Sequence, residues 1–252
     1  MCVNPLYTDS NLFHLLISKL IFPLFFIFVT IQQVNINCNR FLKRDVIYIN
    51  YYQVFNDMIT IYGRQYWWPS DSDWETLVGA ILVQNTNWKN AEKSLANLRE
   101  KTGFKPDILL NVNLEVLKKL IKPSGFYNAK AKTIKNSLLF FESFGFDINK
   151  MKKTLSPKTL KTSLMNIKGI GNETSDVILL YIFDQPIFII DKYARRMISR
   201  LEGRDVSKFK YQVLKEYMES NLQRLTYKDF QEYHALIDDY SEEYLRRLKN
   251  EK

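Results

Sequence analysis

The sequence predicts an all-α protein. From Asp45 onward apolar residues recur at spacings of three and four, the period of a helix with one buried face. Ser, Asp, Pro and Gly punctuate those segments where caps and breaks belong. A single short run, residues 187–190, reads as a strand.

The elements follow in order. Residues 46–62 carry apolar positions at helical spacing. A helix over 73–82 follows Pro-Ser-Asp-Ser, with Ser72 or Asp73 as its N-cap. In 88–101, Ala91, Leu95 and Leu98 share one face. Residues 114–121 form a short helix closed by Lys-Pro-Ser-Gly. In 129–144 the core stripe is Ile134, Leu138, Leu139 and Phe141. The helix over 156–167 has Pro157 in its first turn, where a missing N–H costs nothing. Helices over 172–183, 192–201, 209–221 and 228–249 complete the set.

Composition narrows the function. Of 252 residues, 46% are hydrophobic, enough for one sizeable core or two small lobes. The net charge of +9 and a pI near 9.3 suit a polyanionic partner, because each Lys or Arg set on a phosphate releases a counterion. The two cysteines, Cys2 and Cys38, leave the body of the chain without a disulfide framework, a zinc knuckle or a cysteine-bound iron–sulfur cluster. His14 and His234 are too few and too far apart to suggest a metal site.

Residues 12–34 are apolar, with Lys19 as the only formal charge, and are long enough to cross a bilayer. Lys19 and Pro23 interrupt the run, and neither a basic start nor a small-residue cleavage site marks a signal peptide. Two readings stand: a membrane anchor, or translated leader ahead of the true start. The second is favoured, because periodic, basic sequence begins only near residues 43–51. Residues 1–42 are accordingly set apart as a hydrophobic N-terminal extension.

Two local patterns carry chemistry. Between the helices ending near Asn166 and starting near Asn172 lie Lys168, Gly169, Ile170 and Gly171. Glycines there allow a tight turn and bare N–H groups, and the next helix points its positive end the same way. A phosphate can dock on such a hairpin without any base being read. Ile167 and Ile170 would anchor it in the core. An ordinary tight turn between helices has the same pattern. Asp191 follows an apolar run and precedes a helix, which by itself reads as an N-cap.

The wider context resembles one family. The stretch Leu-Met-Asn-Ile-Lys-Gly-Ile-Gly-Asn-Glu-Thr from Leu164 is followed by Pro186, the apolar run 187–190, and Asp191-Lys192-Tyr193-Ala194-Arg195-Arg196. Upstream stand residues 77–86, Leu-Val-Gly-Ala-Ile-Leu-Val-Gln-Asn-Thr; downstream stands Tyr233-His234-Ala235-Leu236-Ile237. Together, over residues 50–245, they resemble the helix-hairpin-helix (HhH-GPD) superfamily of DNA glycosylases, to which endonuclease III belongs.

That resemblance implies a two-lobed helical fold over 45–252. A helical barrel lobe would span about 76–185, and a second lobe about 45–75 plus 190–252. It implies that Asp191 is the catalytic carboxylate, stabilising positive charge at the sugar and orienting or deprotonating water. Lys168, Gly169 and Gly171 would contact the DNA backbone, and Gln84 would fill the gap left by a flipped base. Family members that also cut the strand carry a Schiff-base lysine two residues after the second glycine; here that position is Glu173. No cysteine follows Ile237, so no iron–sulfur cluster is expected, as in the branch of bacterial 3-methyladenine DNA glycosylases.

Tyr66-Trp67-Trp68-Pro69 and Gln84-Asn85-Thr86-Asn87-Trp88 are similar to that branch too. Trp67, Trp68 and Trp88 would sandwich a flipped base and favour one made cationic by alkylation. The same residue type is common in cores. The expectation is therefore a metal-free, cofactor-free, monomeric enzyme acting on double-stranded DNA in the cytoplasm, at the nucleoid. It would release an alkylated purine such as 3-methyladenine without lyase activity. The alternatives are an endonuclease III-type glycosylase and lyase on oxidised pyrimidines, and a non-catalytic DNA-binding protein.

Overall fold

The computed structural model describes residues 49–68 and 70–250. The apolar segment 12–34, Cys2, Cys38, His14 and Pro69 lie outside the described residues. No helix among the described residues is long and apolar enough to cross a membrane.

The described residues form twelve α-helices and one 3₁₀ turn, with no strand. In chain order the helices are α1 (Tyr51–Tyr62), α2 (Asp73–Leu82), α3 (Trp88–Thr102), α4 (Pro106–Asn111), α5 (Leu114–Leu120) and α6 (Tyr127–Glu142). There follow α7 (Ile148–Thr154), α8 (Pro157–Met165), α9 (Asn172–Tyr181), α10 (Lys192–Glu202), α11 (Tyr211–Asn221) and α12 (Tyr227–Asn250).

Local chemistry sets the boundaries. Asn50, Ser72, Asn87, Asp147 and Ser156 each cap a helix by accepting a backbone N–H two or three residues into it. Of the two candidates for the α2 cap, Ser72 fills the role, its Oγ 3.2 Å from the Glu75 N–H. Pro106 and Pro157 open α4 and α8 in the first turn. Gly103 and Gly203 close α3 and α10 in the left-handed conformation.

The packing has two groups. α2 packs against α3, α6 and α9, α6 against α4 and α5, and α9 against α8. α12 packs against α1 and α10, and α11 against α1. The chain passes between these groups twice, through residues 63–72 and through 182–191. Those two passages carry Trp67, Trp68 and Asp191.

Three expectations change. Residues 187–190 are buried but form no strand. The Phe188 N–H reaches Glu219 Oε1 at 3.1 Å instead of a ladder partner, so burial explains the apolar composition without a sheet. Leu139 is exposed, while Ile134, Leu138 and Phe141 are fully buried, so the stripe on α6 is narrower than its sequence suggests. Helices α4 and α7 occupy stretches read as connections; six and seven residues are too few to show a period.

Candidate functional site

Asp191 is the N-cap of α10. Its Oδ1 accepts the Ala194 N–H at 2.7 Å, and its side chain is 7% exposed. The cap explains the local fold, since an open N-terminus needs an acceptor. It also fixes one carboxylate oxygen and leaves the other for different work. Two groups from α12 crowd the carboxylate. A carboxylate oxygen of Asp191, one of Asp238 and a ring nitrogen of His234 all lie within 4.8 Å of one another.

Each neighbour is perturbed. Burial lowers the pKa of His234 against a smaller opposing pull from Asp191, which favours the neutral imidazole. The Tyr181 hydroxyl lies 2.8 Å from His234 Nδ1 and also reaches the Gln231 carbonyl at 3.3 Å. Asp238 is pushed up to about 9, chiefly by burial and then by the adjacent Asp191. Glu173, in the first turn of α9, is pushed up by crowding within the cleft and by Asp191, with Lys192 and Arg195 opposing. Its side chain still reaches the surface, so the direction of that shift carries the argument.

The aromatic side chains cluster beside His234, the neighbour of this acid. Trp67 lies 5.3 Å from Trp68, 6.2 Å from Trp88 and 5.5 Å from the His234 ring, centroid to centroid. Trp68 meets Trp88 and Tyr181 edge-on, each at 5.4 Å. Trp68 also lies flat on Gly79 of α2, where a β-carbon would stand 3.1 Å from its ring. A base sandwiched between two rings needs roughly 7 Å between parallel planes, two contacts of about 3.5 Å. Trp67 and Trp88 are closer than that and tilted by 52°, so these two rings leave no room for a base between them.

The backbone that carries Trp67 is clamped from α12. Buried Glu232 accepts the Gln65 N–H at 2.5 Å and the Tyr66 N–H at 2.9 Å. Tyr66 itself projects, 81% exposed. Beside it a cavity of about 360 Å³ is lined by Tyr66, Trp67, Trp68, Asp73, Tyr181 and Gln231 among others, but by neither Asp191 nor Trp88. It adjoins the aromatic cluster and does not open onto the acid.

The hairpin joins α8 to α9. Gly169 has φ +99°, and a β-carbon there would stand 2.2 Å from Thr133 Oγ1, so both backbone and space require glycine. Thr133 Oγ1 in turn donates to the Lys168 carbonyl at 2.9 Å. Gly171, the N-cap of α9, has extended geometry and open space around it, and its lack of a side chain leaves the first N–H groups of α9 uncovered. Lys168 is exposed, Ile170 is buried, and Ile167 is partly buried against the core. Gln84 lies against the hairpin, its Nε2 donating to the Gly169 carbonyl at 3.1 Å and to Thr174 Oγ1 at 2.8 Å.

The structure therefore brings Trp67, Trp68 and Trp88 together, links them through His234 to Asp191, sets Glu173 within electrostatic reach of Asp191, and places Gln84 against the hairpin of Lys168, Gly169 and Gly171. Tyr181 and Asp238 had no place in the sequence reading, and His234 entered it as part of a motif and as a histidine set aside as a metal ligand. One signal was available: His234 and Asp238 are four apart on a helix and so share a face.

An all-α protein with a glycine hairpin and a buried capping aspartate between two helical groups is the frame of a base-excision repair protein. The chain belongs to the HhH-GPD superfamily of base excision DNA repair proteins, a family of DNA glycosylases, whose model matches residues 78–224. It is 41% identical over 197 residues to a proposed DNA repair glycosylase of Methanocaldococcus jannaschii, covering 78% of this chain and 89% of that one. It is 32% identical over 163 residues to endonuclease III of Sulfolobus acidocaldarius, covering 64% and 69%. In fold it is similar to the Helicobacter pylori 3-methyladenine DNA glycosylase bound to 1,N6-ethenoadenine, with a TM-score of 0.63, 24% identity, and coverage of 76% and 95%. It is similar also to a trapped endonuclease III–DNA covalent intermediate, at a TM-score of 0.60, 18% identity, and coverage of 77% and 86%.

Proposed function

We propose that this protein releases an alkylated purine, such as 3-methyladenine, from double-stranded DNA by hydrolysis and leaves the strand uncut. The observation that carries the reading is the buried Asp191, fixed by the Ala194 N–H beside a cluster of three tryptophans. The Lys168–Gly171 hairpin and the N-terminus of α9 would hold DNA phosphates. The damaged nucleotide would leave the stack, with Gln84 filling the gap, and displace Trp67 to lie against Trp88 and Trp68. A purine made cationic by alkylation gains from those electron-rich faces.

Chemistry then needs one bond broken and one made. The C1′–N bond breaks and its electron pair leaves with the base, which departs neutral if it was cationic. Positive charge gathers on the sugar, and the Asp191 carboxylate stabilises it. Water adds to C1′, and its proton passes to Asp191. This hydrolysis calls for no metal or organic cofactor. Glu173 stands at the lyase position and cannot form a Schiff base, so the abasic product stays intact.

Single-turnover excision over a panel of lesion-bearing duplexes, with borohydride present, tests this. Release of alkylated purine without a trapped protein–DNA adduct is expected. A trapped adduct, or release confined to oxidised pyrimidines, would establish the endonuclease III-like alternative.

A further inference from the structure

Resting on that reading, we propose that Asp238 is a positioning residue: it carries a proton, donates it in a hydrogen bond to Asp191, and so holds the catalytic carboxylate as one half of an acid–carboxylate pair.

The geometry comes first. Asp238 lies one turn along α12 from His234, and both turn toward the same oxygen of Asp191, with the three donor atoms within 4.8 Å of one another. Two carboxylates so close, one buried and the other half-buried, repel each other when both are ionised, which favours a proton kept on one and given to the other. Of the surroundings, Lys192 pulls the other way but does not outweigh burial and Asp191. α9 contributes Tyr181, whose hydroxyl is engaged with His234 and the Gln231 carbonyl. α10 contributes Lys192, whose Nζ sits 4.5 Å over the Tyr193 ring rather than on either acid. α12 itself contributes His234, kept neutral by burial, and Asp239, a further acid. The α1 groups facing α12 are occupied elsewhere, Asp57 with Tyr244 and Tyr62 with Tyr240.

A second observation assigns the proton. Asp238 Oδ1 is buried and has no hydrogen-bond partner. An orphaned carboxylate oxygen would be costly, whereas the carbonyl oxygen of a neutral acid tolerates the position far better. The neighbouring acid within reach is Asp191, and the raised pKa of Asp238, driven first by burial and then by Asp191, agrees with a proton held between them. Asp191 is then held at one oxygen by the Ala194 N–H and at its side chain by Asp238, which fixes the plane of the carboxylate. A misplaced group of this kind can lose about a hundredfold in rate.

The test uses the full chain with ¹³C-labelled aspartate carboxyls. We expect one aspartate to titrate near pH 9, to vanish in Asp238→Asn, and to move toward the ordinary carboxylate range in Asp191→Asn. In single-turnover excision, Asp238→Ala should be slower by about a hundredfold with unchanged affinity for an abasic-site duplex, because position is lost but DNA contacts are not. Asp238→Asn, which keeps a donor, should restore most of the rate at pH 7 and lack the alkaline fall expected of the wild type. The proposal is overturned if no aspartate titrates above pH 7, if Asp238→Ala keeps the wild-type rate and profile, or if a chelator abolishes activity and a divalent cation restores it. A pair that titrates as described in a protein that releases no base would support the shared proton and defeat the excision reading alone.

Discussion

At the scale of single residues, the site combines structural and chemical duties in the same side chains. Asp191 opens α10 as its N-cap and lies against His234 and Asp238, so replacing it tests both duties. Asparagine can still accept the Ala194 N–H but carries no charge. Asp191→Asn should therefore melt near the wild-type temperature and bind DNA, while base release falls by about 10²–10⁴-fold in single-turnover assays. The hairpin glycines separate in the same way. Gly169→Ala forces a positive φ and a clash with Thr133, a strain of about 1–3 kcal/mol, and should lower the melting temperature by several degrees. Gly171→Ala meets no neighbour and should leave the melting temperature unchanged.

At the scale of elements, the path to Asp191 is held by buried charge. Asp176 on α9 is fully buried and takes Lys161 of α8 at 2.8 Å, Lys215 of α11 at 3.3 Å and the Tyr211 hydroxyl at 2.9 Å. Lys215 approaches Glu219, which accepts the Phe188 N–H from the run leading to Asp191. Removing one partner leaves the others buried without compensation. Asp176→Ala should cost about 3–5 kcal/mol, read as a lower denaturation midpoint in urea. This network was not legible in the sequence. The longer helices were, because caps and periodicity are local, whereas α4 and α7 were not; the hairpin was, because Gly169 is needed where the turn closes. Which lysines face Asp176, and that the run 187–190 ends on a glutamate instead of a strand, depends on residues 25 to 50 positions apart in some cases and closer in others, with no spacing rule to join them. Asp238 was missed for the same reason: its meaning depends on Asp191, which belongs to another helix.

At the scale of the whole molecule, the acid pair links the site to overall stability. Unfolded, Asp238 would lose its proton near its usual 3.8; folded, it keeps it to about 9. Below pH 4 both states are protonated and the residue contributes no difference. As pH rises from there, the unfolded chain sheds the proton while the fold retains it, so stability falls until the folded pKa is passed. Asp238→Asn removes that loss. Its melting temperature should match the wild type near pH 4 and exceed it by a growing margin up to about pH 9. The net charge of +9 makes a second global prediction: affinity for duplex DNA should fall steeply and log-linearly with salt.

The filled aromatic cluster has a consequence for selectivity. Trp67 lies beside both Trp88 and His234, so on the proposed reading the resting protein already holds a ring where a flipped base would lie. Whatever enters competes with an occupant of equal size, tethered and always present. Affinity at that place is then a difference between two stacking energies, not a single one. A neutral base exchanges one ring for another at little gain, and a cationic purine gains the electrostatic attraction that indole cannot offer itself. The incumbent ring acts as a reference against which every nucleotide along the duplex is weighed.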